Sequence, residues 1–181
     1  MKQIERCTWA ETHELMIPYH DNEWGVPQHD DQKLFEMLNL EGAQAGLSWL
    51  TILKKREAYR DAFDGFSARK MATYDEEKRA ELLQNAGIIR NKLKVNAFIE
   101  NAKAFLVLQK QHGSFDAYIW QFTESGKPYS RRQHVKSQQS SLAMSTQLKK
   151  DGFRFMGPTV CYAFMQATGM INDHEAGCFK A

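Results

Sequence analysis

Apolar residues recur along this chain at three- and four-residue steps almost throughout, the spacing of amphipathic helices. No long stretch alternates with the period of two that a half-buried strand needs, and valine, isoleucine and threonine are few. Asp30-Asp31 opens one helical segment, whose apolar face carries Leu34, Phe35 and Leu38. A second helix is expected from about Ser48 through Phe63, with Leu50, Leu53 and Tyr59 inward. Asp75-Glu76-Glu77 starts another and carries Leu82 and Leu83 toward Gly87. From Asn91 onward, Val95, Phe98, Ile99, Ala102 and Leu106 mark a clear amphipathic helix, and Phe115, Tyr118, Ile119 and Phe122 repeat the pattern in a shorter one. Residues 123–139 are polar and aperiodic and read as the longest loop. Helices resume around 141–150, ended by Gly152, and around 158–168, ended by Gly169. No internal repeat is visible, and the expected fold class is all-α.

Two features interrupt this pattern. Continuing the stripe Leu34, Leu38 by helical steps lands on Glu41 and then Ala45, which sets an acid at a core-facing position. A buried carboxylate is costly unless it is paired or hydrogen-bonded. Trp49 follows closely, and Trp9, Tyr19 and Trp24 lie in the N-terminal arm; an acid inside an aromatic cage suits a flat, polar, cationic ligand. The plainer alternative is a partly exposed glutamate near a helix end, with the tryptophans as core filler. The second feature is the short apolar turn Ala86-Gly87-Ile88-Ile89-Arg90-Asn91-Lys92 between two helices. There glycine is expected to permit a tight bend, the isoleucines to anchor it, and the amides at the next helix start to face a phosphate. Arg90, Lys92 and Lys94 add charge. Most helix–glycine–helix turns are only connections, so as a bare pattern this one is weak.

Composition sets the bounds. A chain of 181 residues can bury a sizeable core as one domain or two small lobes. Its formal charge of +2 is too small to announce a nucleic-acid partner, and the clusters Lys54-Lys55-Arg56, Arg131-Arg132 and Lys149-Lys150 read first as solvated faces. Met1 to Ala10 carries no apolar run, so no signal peptide is expected, and no stretch approaches the roughly 18 apolar residues that span a bilayer. Three cysteines cannot all pair, which points to a reducing cytoplasm. Cys161 lies in an apolar run and reads as core. Cys7 precedes His20 by thirteen residues, and His174 precedes Cys178 by four, so the latter two share one face of a helical turn. Two thiolates and two imidazoles make a closed tetrahedral set, the arrangement of structural zinc, which would bring the termini together. A free cysteine with surface histidines fits the same intervals, and His13 is a rival to His20.

Longer motifs then coincide. Cys7-Thr8-Trp9, Tyr19-His20-Asp21-Asn22-Glu23-Trp24-Gly25, Leu40-Glu41-Gly42-Ala43-Gln44-Ala45-Gly46-Leu47-Ser48-Trp49, Ala86-Gly87-Ile88-Ile89-Arg90, and Asn172-Asp173-His174 with Cys178 resemble, in order, the signatures of the DNA-3-methyladenine glycosylase I family. The resemblance runs from Glu5 to Cys178. It implies an all-α, helix-hairpin-helix base-excision enzyme that removes 3-methyladenine from alkylated double-stranded DNA and leaves an abasic site. It also implies one structural zinc per chain, held by Cys7, His20, His174 and Cys178, and a monomeric, cytoplasmic, bacterial protein with no membrane partner. The expected organisation is one glycosylase unit over 1–181, with a helical core at about 30–122, a hairpin at 86–92, and an arm 1–29 and a segment 140–181 joined by zinc. By the same resemblance Glu41 hydrogen-bonds the lesion base, Trp9, Tyr19 and Trp49 stack on it, and Trp24 supports the wall. Gly46 and Leu47 match the segment near the gap left by the extruded nucleotide; Gly87, Ile88, Ile89, Arg90 and Lys92 match the DNA-gripping hairpin. One departure is Met16, where several relatives have tyrosine. The family dispenses with a catalytic aspartate downstream of the hairpin, so Asp116 is not nominated. The alternatives in view are a zinc-stabilised DNA-binding protein or alkylation-damage sensor without catalysis, and a zinc hydrolase, which a closed four-ligand set disfavours.

Overall fold

A computed structural model describes residues 4–181; the first three residues of the arm, and of the N-terminal stretch read as lacking an apolar run, lie outside the described residues. A short 3-10 turn at Thr8–Thr12 leads into α1 (Met16–Asn22), followed by α2 (Asp31–Gln44), α3 (Trp49–Ala62), α4 (Ala68–Met71), α5 (Glu76–Gln84), α6 (Lys92–His112), α7 (Phe115–Ile119), α8 (His134–Lys150) and α9 (Pro158–Ala167). The helix starts follow from side-chain chemistry. Asp30, Ser48, Asp75, Asn91 and Ser114 each accept a hydrogen bond from the backbone N–H three residues on, which satisfies a donor that the first helical turn leaves open.

Helix α2 is the axis of the molecule. Every residue from Leu34 to Ala43 is buried, so the stripe read from the sequence is a helix covered on all sides. Leu34, Phe35 and Leu38 join Ile52 and Tyr59 of α3, Phe98 and Phe105 of α6, and Phe164 of α9 in one contiguous apolar cluster. The polar residues caught in this burial are mostly satisfied: Asn39 donates to the Phe35 carbonyl and accepts from Asn101 at 3.0 Å. Ala45 turns out exposed, because α2 ends at Gln44.

Several expectations are corrected. Ile52, not Leu50, is the fully buried residue at the start of α3, and on α6 Phe105 and Leu108 are buried while Leu106 is only partly so, because the neighbouring helices set which stripe of each helix faces inward. The stretch 123–139 is not one loop. It holds a tight turn with Ser125 and Gly126 both at positive φ, a two-residue strand β1 (Tyr129–Ser130), and the first turns of α8. Strand β1 pairs in parallel with β2 (Ile171–Asn172), the only sheet among the described residues. Cys161 is fully buried, and burial pushes its thiol up to about 12. Among the described residues no helix is long and apolar enough to cross a membrane.

The two ends of the chain meet. The Phe179 amide donates to the Glu5 carbonyl at 2.9 Å, and the Glu175 carboxylate receives both the amide and the hydroxyl of Thr8 at 2.8 Å.

Candidate functional site

Where the ends meet, Cys7, His20, His174 and Cys178 are all buried, with their ligand atoms within 4.8 Å of one another. Cys7 Sγ lies 3.5 Å from His174 Nδ1, and Cys178 Sγ lies 3.6 Å from the same atom and 3.4 Å from His20 Nε2. An ion held tetrahedrally by thiolates at about 2.3 Å and imidazoles at about 2.0 Å would hold sulfur and nitrogen roughly 3.5 Å apart. The donor set therefore fits a metal. The surrounding groups support it. His20 Nδ1 faces the Asp21 carboxylate at 2.8 Å, and Arg6 clamps that carboxylate with three contacts of 2.8 to 3.0 Å, fixing which ring nitrogen looks inward. Both sulfurs accept backbone N–H groups, from Glu175 at 3.3 Å and Lys180 at 3.5 Å. Burial pushes the Cys7 thiol up to about 11 and His174 down to about 4; neutral imidazole is the ligand form, and a thiolate here calls for a cation beside it. His13, the rival, lies outside the cluster.

The clasp carries the aromatic wall on its back. Trp9 meets the His20 ring edge-on with centroids 5.2 Å apart, and Trp24 meets His174 the same way at 4.7 Å. Trp9 and Trp24 then pack edge to face at 5.0 Å. Gly25 is required at this contact. Its φ is +76°, and a Cβ would stand 2.7 Å from His174 Nε2.

In front of that wall is a cavity of about 270 Å³ lined by Trp9, Met16, Tyr19, Trp24, Glu41, Gln44, Trp49, Ala163 and Gln166. The structure brings together every residue proposed for base contact: the acid from α2, Trp49 from the first turn of α3, Tyr19 from α1 and two tryptophans from the arm. Tyr19 and Trp49 lie 5.2 Å apart. Glu41 is 4 % exposed, its Oε2 has no hydrogen-bond partner, and burial alone pushes its carboxyl up to about 8. The indole Nε1 of Trp49 is likewise buried and unpartnered. An unpaired carboxyl on an aromatic-lined chamber can engage a planar ligand that offers hydrogen-bonding groups. Met16 is in the wall, so a thioether stands where the resemblance has a phenol. Gln44, Ala163 and Gln166 were not foreseen. Gln44 is one turn from Glu41 and was legible from helical spacing. Ala163 and Gln166 come from α9, whose approach to α2 is tertiary and leaves no local signal. A larger cavity, about 700 Å³, lies on the flank of α2 around Glu36, Arg56 and Arg60, where the charges are mutually paired.

The connection between α5 and α6 spans 85–91. Ile88 is buried, Ile89 is partly buried, and Arg90 and Lys92 are exposed. Helix α3 braces it: Lys55 Nζ donates to the Ala86 and Gly87 carbonyls at 3.1 and 3.2 Å, and the Ile89 amide donates to the Tyr59 hydroxyl. Gly87 lies in the turn, as expected, but without a left-handed backbone. It is small because a Cβ would come within 2.9 Å of Ala58 Cβ, so close approach to α3 is what glycine allows here. The amides of Gly87, Ile88, Ile89 and Asn91 all have internal acceptors, whereas those of Arg90 and Lys92 have none among the described residues. The turn at Gly46 and Leu47 joins α2 to α3 directly beside the cavity, with Leu47 38 % exposed.

A family model described as methyladenine glycosylase matches residues 9–181. The chain is 48 % identical over 179 residues to a protein of Escherichia coli named DNA-3-methyladenine glycosylase 1, covering 97 % of this chain and 96 % of that one. A crystal structure of 3-methyladenine DNA glycosylase I superposes with a TM-score of 0.91 at 48 % identity, over 97 % of this chain and 98 % of the other. A second structure of an enzyme of that name, in complex with 3-methyladenine, superposes with a TM-score of 0.90 at 32 % identity, over 97 % and 96 % of the two chains.

Proposed function

The chain belongs to the methyladenine glycosylase family, and from that premise we propose that it is a monofunctional DNA N-glycosylase, which excises 3-methyladenine from alkylated double-stranded DNA and leaves an abasic site. One observation carries this reading to the residues: the buried Glu41 carboxylate is unpartnered inside a chamber of indole and phenol rings. Methylation at N3 makes the base cationic and a good leaving group, so the N-glycosidic bond is already weak. The enzyme's task is then to extrude the lesion, at a cost of a few kcal/mol that is lower for a damaged pair, and to close around it. Glu41 accepts hydrogen bonds from the N–H groups of the base, Tyr19 and Trp49 stack on its faces, and Trp9 and Trp24 form the rear wall. A cationic base opposes the burial that raises Glu41 and favours its ionised form.

Cys7, His20, His174 and Cys178 would hold zinc, which supplies a structural tie here, since four protein ligands leave no position for water. The 86–92 turn acts as a helix-hairpin-helix grip on phosphates. Its exposed donors narrow the contacts to Arg90 and Lys92, with Gly87, Ile88 and Ile89 as the braced anchor and Gly46 and Leu47 facing the gap in the duplex. The reading treats residues 1–181 as one glycosylase unit, monomeric, working on DNA in a bacterial cytoplasm. Chromatography of bases released from methylated duplex DNA tests it. Release of 3-methyladenine in preference to 7-methylpurines is expected; tight binding to methylated DNA with no free base would instead identify a damage sensor.

A further inference from the structure

Lys94 stands in the first turn of α6, is 8 % exposed, and forms no ion pair among the described residues. Its ammonium donates to the Ala43 carbonyl at 2.7 Å and the Ala45 carbonyl at 2.8 Å. A buried cation without an anion is costly, and the N-terminal turn of a helix is the electrostatically wrong end for one. Burial accordingly lowers the pKa of Lys94. What offsets the cost is the partner: the carbonyl-rich C-terminus of α2, where helix dipole and unsatisfied acceptors both favour positive charge.

The second acceptor matters most. Gln44 to Leu47 form a tight turn closed by the Leu47 amide on the Gln44 carbonyl at 2.6 Å, with Ala45 at φ −47° and ψ 117° and Gly46 at φ +79°. These are the angles of a type II turn, which needs glycine at its third position. Type I and type II turns differ by a flip of the central peptide, here the one joining Ala45 to Gly46. The Ala45 carbonyl belongs to that peptide. Holding it toward Lys94 turns the Gly46 N–H the opposite way, and that amide has no acceptor among the described residues.

We propose that Lys94 is a positioning residue for base extrusion: by fixing the 45–46 peptide it presents the Gly46 N–H and the Leu47 side chain to the duplex, and it couples that turn to the helix that follows the DNA-gripping hairpin. This rests on the reading of Gly46 and Leu47 as the segment facing the gap. Extrusion is needed in a duplex and much less in a single strand, and not at all for the free base, so the role separates from simple structural support.

The experiment compares wild type, Lys94→Met, Lys94→Arg and Leu47→Ala for release of 3-methyladenine from methylated duplex and from methylated single-stranded DNA. Affinity for free 3-methyladenine and melting temperature are measured alongside. Lys94→Met is expected to lower duplex release on the order of tenfold, with single-strand release and free-base affinity within about twofold of wild type, and Lys94→Arg to recover most of the loss. Leu47→Ala should shift the duplex-to-single-strand ratio the same way. Equal losses on both DNA forms together with weaker free-base binding would make Lys94 structural only and overturn the proposal. If Leu47→Ala lowers the ratio and Lys94→Met does not, the Lys94 coupling alone fails. If Leu47→Ala leaves the ratio unchanged, the gap-facing reading fails and takes the proposal with it.

Discussion

Helix α2 buries two glutamates five residues apart and treats them in opposite ways. Glu36, 7 % exposed, accepts from Arg56 Nε at 2.7 Å and from Arg60 Nε and Nη2 at 3.0 and 2.8 Å. Glu41 is buried as deeply and has none of this. Arginines from α3 thus neutralise one acid, while aromatic rings surround the other. Burial of a carboxylate by itself says nothing about function; burial without a partner does, because the fold holds the acid in its neutral form at some cost until a ligand supplies hydrogen bonds and charge.

Glu41→Gln should produce the largest effect, a loss of 3-methyladenine release on the order of 10²- to 10³-fold, about 3–4 kcal/mol of transition-state stabilisation, in a protein that folds and keeps its clasp. Undiminished release from the folded variant removes Glu41 from the mechanism. Next comes pH. With its folded pKa raised to about 8 against an ordinary value of 4.5, Glu41 favours the fold while protonated, and that contribution is lost as pH rises between those values. Urea unfolding of the free protein should therefore show wild type losing about 3 kcal/mol relative to Glu41→Gln between about pH 5 and 8. Parallel curves would mean the acid is already compensated. Glu36→Gln should invert the phenotype: stability falls by about 2 kcal/mol, since two arginines keep an acceptor but lose their anionic partner, while release per folded molecule stays within about twofold. Arg90→Ala touches neither acid and should weaken damaged and undamaged duplex alike by about 1 kcal/mol, seen as a shallower salt dependence of binding. An effect confined to damaged DNA would detach the hairpin from phosphate binding.

The contrast between the two glutamates was only half legible in the sequence. Glu41 falls on the stripe of Leu34 and Leu38, so its inward position followed from helical period alone. Glu36 lies off that stripe, and its burial became visible only when α3, α6, α7 and α9 were seen to pack around α2. Helix starts read well where a short polar side chain caps them, as at Asp30, Ser48, Asp75 and Asn91. They read poorly at α8, which begins at His134 inside a stretch too polar to show a period. The pairing of β1 with β2 spans some forty residues and involves only two residues per strand, too few to leave a pattern. Gly87 shows a subtler failure. The residue was correctly singled out, yet its smallness serves contact with Ala58 rather than backbone freedom, a distinction that only neighbouring coordinates can make.

The clasp at the chain ends also has a mechanical side. Its contacts join residues 167 and 168 positions apart, and the indoles that back the cavity rest directly on its histidines. A pull applied to both ends would load this knot before any helix behind it felt tension, so the chamber around Glu41 would keep its shape until the knot parted, and lose its rear wall at that same moment.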